Sequence, residues 1–372
     1  MGAPRKICCF CQTWESGGIE AFLCHIMEHM DLSQLQVDLV VCAMRESIFT
    51  QPMQEMGVRF HQLSGSTRDV RGNHQRFREL IRHEKYDVIH FNLFESLSLS
   101  FVRLAREEGV PCRIVHSHNT ALRESKTKWL KMILHRMGRS RYSMEATQLW
   151  ACSGEAARFL FAPQALEQLP YRFIPNGIEL ERFAFSAQVR SQIRAQLQVE
   201  NAFVVGHIGR LCQQKNQTFL LEVMEELVKL EPQAVLLLVG DGADREALEA
   251  RARQLGVAEH VIFYGTTPHP EQLMCAMDVF AFPSLFEGLG IVAIEAQANG
   301  LPLVCSQHVP QEAFVTPTAE QLSLDAGVKE WAAKLLARRD QRGNYLDCLR
   351  KAGFAVEDVA HLVQQTYLEG EA

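Results

Sequence analysis

Glu287 and Glu295 bracket a glycine turn in the stretch VFAFPSLFEGLGIVAIEAQANGLP, residues 279–302. Val279 to Phe282 has the composition of a buried strand. Gly288 and Gly290 leave the backbone bare of Cβ, so a ligand can approach it closely. From Ile291 the apolar spacing becomes helical, and Asn299-Gly300 stops it. The first amide groups of such a helix are unpaired and carry the positive end of its dipole, which suits a phosphate. Glu295 lies about 7.5 Å of helical rise beyond Gly290. The two carboxylates can therefore reach hydroxyls on opposite sides of a bound diphosphate. The plainer alternative is that Glu287 caps the helix and Glu295 is solvated. A pair of cations, Arg210 and Lys215, falls between the strand Phe203–Gly209 and the next helix. Placed there, they would neutralise a diphosphate leaving group. His118, at a strand end in His116-Ser117-His118-Asn119, is a candidate contact to a reacting group and a candidate acid or base.

The elements that must hold these groups alternate regularly. Strands are expected at Lys6–Cys11, Gln36–Cys42, Val58–Leu63, Tyr86–Phe91, Arg113–His116 and Gln148–Ala151, with helices near 73–84 and 95–109. The alternation restarts with Phe203–Gly209, Ala234–Gly240, Val261–Tyr264, Val279–Phe282 and Pro302–Cys305. After about 318 the pattern reads as helical to the end. Such β/α repetition implies parallel, doubly wound sheets, which bind ligands beyond the carboxyl ends of their strands. The first strand runs into Trp14–Glu20, so Gly17 and Gly18 form a second strand–glycine turn–helix unit. No GxGxxG follows it, and Gly240-Asp241-Gly242 has Arg245 where a third glycine would stand. A nicotinamide-dependent dehydrogenase is disfavoured on both counts.

Length and composition bound the rest. A chain of 372 residues predicts two domains, and 47% apolar residues supports ordinary cores. A net charge of −6 gives no case for a nucleic-acid partner. The longest apolar runs fall far short of the roughly 20 residues that span a bilayer. Arg5-Lys6 is followed by too short an apolar run for a secretory leader. Eleven scattered cysteines without a CxxC pair fit a reducing cytosol. Cys8, Cys9 and Cys11 read as small buried hydrophobes, because alternate strand residues face opposite ways.

Residues 121–141 stand apart: Arg123, Lys126, Lys128, Lys131, Arg136, Arg139 and Arg141 face a single acid, Glu124. Trp129, Leu130, Ile133, Leu134 and Met137 recur at helical spacing. A basic amphipathic helix of this kind can lie on an anionic membrane. The alternative is an internal helix that buries its apolar side and solvates its basic one.

The 279–302 segment resembles the signature of retaining GT-B glycosyltransferases of family four, in which two glutamates are likewise separated by seven residues. Arg210 and Lys215 also match that family in type and spacing. The resemblance runs over nearly the whole chain and is strongest at 203–306. Gly17-Gly18-Ile19-Glu20, His116-Ser117-His118-Asn119 and Ala352-Gly353-Phe354 look most like the bacterial capsular and exopolysaccharide members. The resemblance implies a GT-B fold of two Rossmann-like domains facing a cleft. Residues 1–180 would bind the acceptor and residues 181–354 the nucleotide sugar, with a helix at about 355–372 crossing back to the first domain. It implies that Glu287 holds the donor sugar and Glu295 the ribose. The backbone of Gly288, Leu289, Gly290 and Ile291 would meet the diphosphate, with Gly17, Gly18 and Gly209 also on the donor. The loop at Tyr264 would meet the base, and His118 the transferred sugar or the acceptor. Glu179 stands where the family usually has aspartate after Pro175-Asn176-Gly177-Ile178.

The expected activity is transfer of a hexose or N-acetylhexosamine from a UDP-sugar to a glycan or lipid-linked oligosaccharide, with retention, in exopolysaccharide or capsule synthesis. There is no Asp-x-Asp, so no metal or other cofactor is expected, and Arg210 and Lys215 would take the metal's place. The expected location is cytoplasmic, on the inner face of the plasma membrane if residues 121–141 touch lipid. Two other readings stay open: a catalytically silent nucleotide-sugar-binding subunit, and a sugar-nucleotide epimerase of related fold.

Overall fold

The computed structural model describes residues 3–15, 17–122 and 128–370. The chain forms two compact units, Met1–Ile178 with Ala355–Ala372, and Glu179–Phe354.

In the first unit, seven strands pair in parallel in the order β3-β2-β1-β4-β5-β6-β7. They are β1 Arg5–Trp14, β2 Leu35–Met44, β3 Arg59–Gln62, β4 Val88–Leu93, β5 Cys112–Ser117, β6 Gln148–Ala151 and β7 Tyr171–Phe173. Ile7, Cys8, Cys9 and Phe10 are all fully buried, as a central parallel strand covered on both faces requires. Burial pushes the Cys9 thiol up to about 12, so it behaves as a small hydrophobe. The helix Val356–Glu369 returns to this unit and sinks Val359, Ala360, Val363 and Tyr367 into the core around β1.

The second unit repeats the plan with six parallel strands, ordered β10-β9-β8-β11-β12-β13. They are β8 Phe203–Ile208, β9 Ala234–Val239, β10 Val261–Gly265, β11 Val279–Phe282, β12 Leu303–Ser306 and β13 Ala319–Leu322. β13 corrects the expectation of an all-helical stretch after 318. Ala-Glu-Gln-Leu has no apolar run because it is a half-exposed edge strand, held by its register with β12 from Leu303↔Ala319 onward.

Each sheet reverses its strand order once, between β1 and β4 and between β8 and β11. The carboxyl ends of those pairs are where doubly wound sheets form a ligand crevice.

The basic segment is a helix over Lys128–Tyr142, while residues 123–127 lie outside the described residues. Its apolar side faces out: Trp129 is 67% and Met137 64% exposed, and Leu130, Ile133 and Leu134 are exposed with them. The internal-helix alternative is therefore overturned. The reason is a polar anchor. His135 is buried, its Nδ1 accepts from the Ser96 amide at 3.2 Å, and its Nε2 donates to the Phe159 carbonyl at 2.9 Å. The Ser96 hydroxyl donates to the His135 carbonyl at 2.6 Å. One turn on, a Cβ at Gly138 would stand 2.8 Å from Ser96 Oγ, so only glycine allows this approach.

Candidate functional site

In the second unit, the loops after β8 and β11 are stitched together. Asn216 takes the left-handed conformation at φ 56° and starts the helix Gln217–Leu230. Its side-chain amide donates to the Pro283 carbonyl at 3.2 Å. Gln214 donates to the Phe286 carbonyl at 2.9 Å, and its own carbonyl accepts from the Leu285 amide at 2.8 Å. This stitching brings Lys215 against the glycine turn. Its Nζ is 2.7 Å from Glu287 Oε1 and 4.8 Å from the centre of the Phe282 ring. The pair is largely withdrawn from water, with side-chain exposures of 17% and 7%. Gly290, at φ 82°, precedes the helix Ile291–Ala298, and a Cβ there would press on Phe282 at 2.9 Å. Gly290 therefore answers two demands, a left-handed backbone and a close ring. Leu289 is buried, while Gly288 and Ile291 are partly open.

Glu295 lies one turn into that helix, partly covered. Burial raises its carboxyl to about 7, opposed by the charges of Arg182 and Lys215 and reinforced by Glu271. That speaks against the plainer alternative of a freely solvated side chain. Arg182 donates to the Pro268 carbonyl at 3.0 Å and pairs with Glu271 at 3.4 Å. Gly209 follows β8, with a Cβ position 3.3 Å from Lys215 Cε. Arg210 is exposed, and among the described residues it forms no ion pair. Its carbonyl is held by Gln217 Nε2 at 2.9 Å. Tyr264 is 42% exposed on β10, separated from β8 by β9, and is not drawn into the Lys215 cluster.

In the first unit, His118 follows β5, and its amide donates to the Leu93 carbonyl at the end of β4, 3.2 Å away. Its Nε2 is 3.0 Å from Asn92 Oδ1. The rings of His118 and His116 are centred 3.9 Å apart, and His116 stacks on His90 at 5.4 Å. Burial drives His90 and His116 well below the usual histidine value and His118 down to about 3. Burial thus favours the neutral form of all three rings. Gly17 and Gly18 open the helix Gly18–Glu28, whose Phe22 lies edge-on to His116 at 5.1 Å and 5.4 Å from His118. Glu20 closes the loop by accepting from the Glu15 amide at 3.0 Å. Among the described residues nothing lies within 4 Å of a Cβ on Gly18, so that edge of the turn is open to them.

Several of these residues were not singled out in the sequence: Gln214, Asn216, Arg182, Glu20 and Asn92. Most act through backbone contacts to distant loops, which spacing does not reveal. Asn92 carried a signal, since a polar amide in the wholly buried strand VIHFNL needs a partner. Gly240 and Gly242 have a purpose other than a nucleotide fingerprint. A Cβ on either would stand 2.1–2.2 Å from the carbonyls of Gly209 and Leu211, so they admit the Arg210 loop.

Both units resemble known proteins. Residues 189–342 match the family described as glycosyl transferases group 1, and residues 17–177 match the glycosyl transferase 4-like domain. The chain is 29% identical over 350 residues to a Bacillus subtilis protein named putative glycosyltransferase EpsF, covering 91% of this chain and 90% of that one. It is 28% identical to an Escherichia coli UDP-Gal:alpha-D-GlcNAc-diphosphoundecaprenol alpha-1,3-galactosyltransferase over 61% of this chain and 59% of that enzyme. Among solved structures, Anabaena HepE in complex with UDP superposes with a TM-score of 0.81 at 20% identity, covering 98% of this chain and 100% of that one.

Proposed function

The chain belongs to the GT-B glycosyltransferases of the family-four type, and from that premise we propose that it transfers a hexose or N-acetylhexosamine from a UDP-sugar to a glycan or lipid-linked oligosaccharide hydroxyl, with retention of configuration. The observation that carries the reading is the Lys215–Glu287 pair, 2.7 Å apart beneath the Gly288–Gly290 turn. In this reading the diphosphate takes Lys215, Arg210, the Gly209 loop and the amides of Gly288, Leu289, Gly290 and Ile291. Glu287 then accepts from the donor sugar's hydroxyls, Glu295 from the ribose, and Tyr264 borders the base. Catalysis is mainly electrostatic: cations and amides are already in place when the glycosidic bond breaks and charge grows on the leaving phosphate. The leaving phosphate oxygen takes the acceptor's proton on the same face of the sugar, because Glu287 is committed to Lys215 rather than placed as a nucleophile. On this reading the charges of Lys215 and Arg210 take the place of magnesium.

Gly17, Gly18 and the neutral His118 belong to the acceptor side and the transferred sugar. The lipid-linked acceptor rests on the outward face of the helix Lys128–Tyr142, where exposed Trp129, Ile133 and Met137 sit beside exposed Lys131, Arg136 and Arg141. Apolar groups flanked by cations suit the interface of an anionic bilayer. The E. coli relative named for a diphosphoundecaprenol acceptor supports that choice. On this reading the enzyme works on the inner face of the plasma membrane, in exopolysaccharide or capsule synthesis.

The test is a panel of UDP-glucose, UDP-galactose, UDP-N-acetylglucosamine and GDP-mannose, scored by thermal shift and by slow hydrolysis. One UDP-sugar is expected to give both. A response to GDP-mannose with none to the UDP-sugars overturns the choice of nucleotide. A shift without hydrolysis or transfer, on any of them, returns the protein to a silent binding subunit.

A further inference from the structure

The histidine that the proposed function places against substrate is held by a neighbour with no other evident duty. Asn92 is 1% exposed at the end of β4, in a strand otherwise built from apolar residues and His90. Its side-chain nitrogen donates to the His90 carbonyl at 3.3 Å, and its oxygen is 3.0 Å from His118 Nε2. The two contacts fix each other. A carbonyl accepts only, so the amide nitrogen must face His90 and the oxygen must face His118. An amide oxygen also accepts only, so His118 Nε2 must carry the proton. Nδ1 is then a bare lone pair, and among the described residues it has no partner although it is buried. The ring is flanked by His116 at 3.9 Å and Phe22 at 5.4 Å, and the residue as a whole is only partly covered. His116 is locked in the same sense, because its Nε2 faces the Ile174 carbonyl at 3.2 Å.

We propose that Asn92 is a positioning residue that holds His118 as the Nε2–H tautomer, so that Nδ1 accepts a hydrogen bond from a substrate hydroxyl. The proposal deepens the reading of His118 as a substrate contact and rests on it. A pocket that offers a fixed acceptor selects a group bearing O–H or N–H and rejects the analogue without it, since the orphaned lone pair then stays unpaired. In this reading the group that pairs with His118 Nδ1 is a sugar hydroxyl. Protonated His118 would offer a donor at the same place and could not accept.

Three variants separate the proposal from the reading beneath it: Asn92→Leu, Asn92→Asp and His118→Ala. The activity probe is hydrolysis of whichever of UDP-glucose, UDP-galactose, UDP-N-acetylglucosamine and GDP-mannose is turned over fastest. His118→Ala is expected to abolish most turnover, and if it does not, the substrate-contact reading falls regardless of Asn92. Asn92→Leu is expected to lower kcat/KM about 10–100-fold by loosening the ring, the range seen when an orienting partner is lost. Asn92→Asp still accepts from Nε2–H, but its charge favours the imidazolium. It should add an acid limb that the wild type lacks, with activity falling further than the wild type's as pH falls. Nitrogen NMR of the wild type, with His118 assigned by its loss in His118→Ala, should show Nε2 protonated and Nδ1 bare. If Asn92→Leu fails to fold, Asn92→Asp and the NMR tautomer decide the matter. A wild-type His118 protonated at Nδ1, or an Asn92→Asp profile identical to wild type, overturns the proposal.

Discussion

Replacing Lys215 by methionine keeps the side-chain stem out to Cε and removes the charged nitrogen from beside Glu287. Glu287 is left 7% exposed without its cation at 2.7 Å. Breaking one side of a buried ion pair costs about 3–5 kcal/mol, and the 17% exposure of Lys215 argues for the lower end. At about 2–4 °C per kcal/mol for a unit of this size, melting should fall by roughly 6–12 °C. The double variant Lys215→Met/Glu287→Gln removes both charges and should recover most of that loss. Turnover should not recover. A cation aimed at a developing charge is worth about 100–1,000-fold in rate, and neither variant has one at position 215. The assay is hydrolysis of the preferred UDP-sugar at saturation, with melting followed on the same samples. A double variant that is stable and turns over near the wild-type rate would show that Lys215 serves only to neutralise Glu287, and the electrostatic account of catalysis would be wrong.

Dialysis against EDTA should leave UDP-sugar turnover unchanged, and a loss restored by magnesium would mean that Arg210 and Lys215 do not suffice. Trp129→Glu with Met137→Glu should release the protein from vesicles containing anionic lipid at low salt, and raised salt should do the same to the wild type; equal retention of both proteins would remove the membrane contact. Glu295→Gln should stabilise the protein at alkaline pH. The folded carboxyl binds its proton up to about 7 while an unfolded one releases it near 4.5, so wild-type stability falls as pH rises between those values. The full difference is about 3 kcal/mol as an upper bound, since part of the side chain still reaches water. The gap between variant and wild type should shrink below pH ~5, and a gap that does not change from pH 5 to 8 would contradict the assignment.

The parallel alternation was readable because most central strands are short apolar runs: VFAF, AVLLLV and FVVGHI are buried almost throughout. The edges were harder to read. Tyr171–Phe173 and Ala319–Leu322 are half open to solvent, so their composition carries little pressure toward apolar residues, and only pairing with a neighbour makes them strands. The glycine turn at 288–290 was legible because its geometry demands a residue type. What tightens it was not. Gln214 and Asn216 reach backbone carbonyls some seventy positions away, and any amide side chain would look the same in the sequence. The helix Lys128–Tyr142 shows the reverse limit. Its apolar stripe was plain, but which way the stripe faces depended on His135 finding Ser96, a residue 39 positions away.

The helix Val356–Glu369 also sets an order of assembly. Tyr367 puts its hydroxyl 2.7 Å from His90 Nδ1, deep among residues of the first sheet, while the whole of 179–354 lies between them in sequence. A ribosome adding about 5–20 residues per second spends roughly 10–30 s on that inserted stretch. Through that interval the nascent first sheet has an open apolar seam beside Cys9 and His90, which a chaperone or a neighbouring nascent chain can occupy. The inserted unit has no such wait. A chain trimmed before residue 356 should therefore aggregate through the seam of its first unit, while residues 179–354 expressed alone should stay soluble.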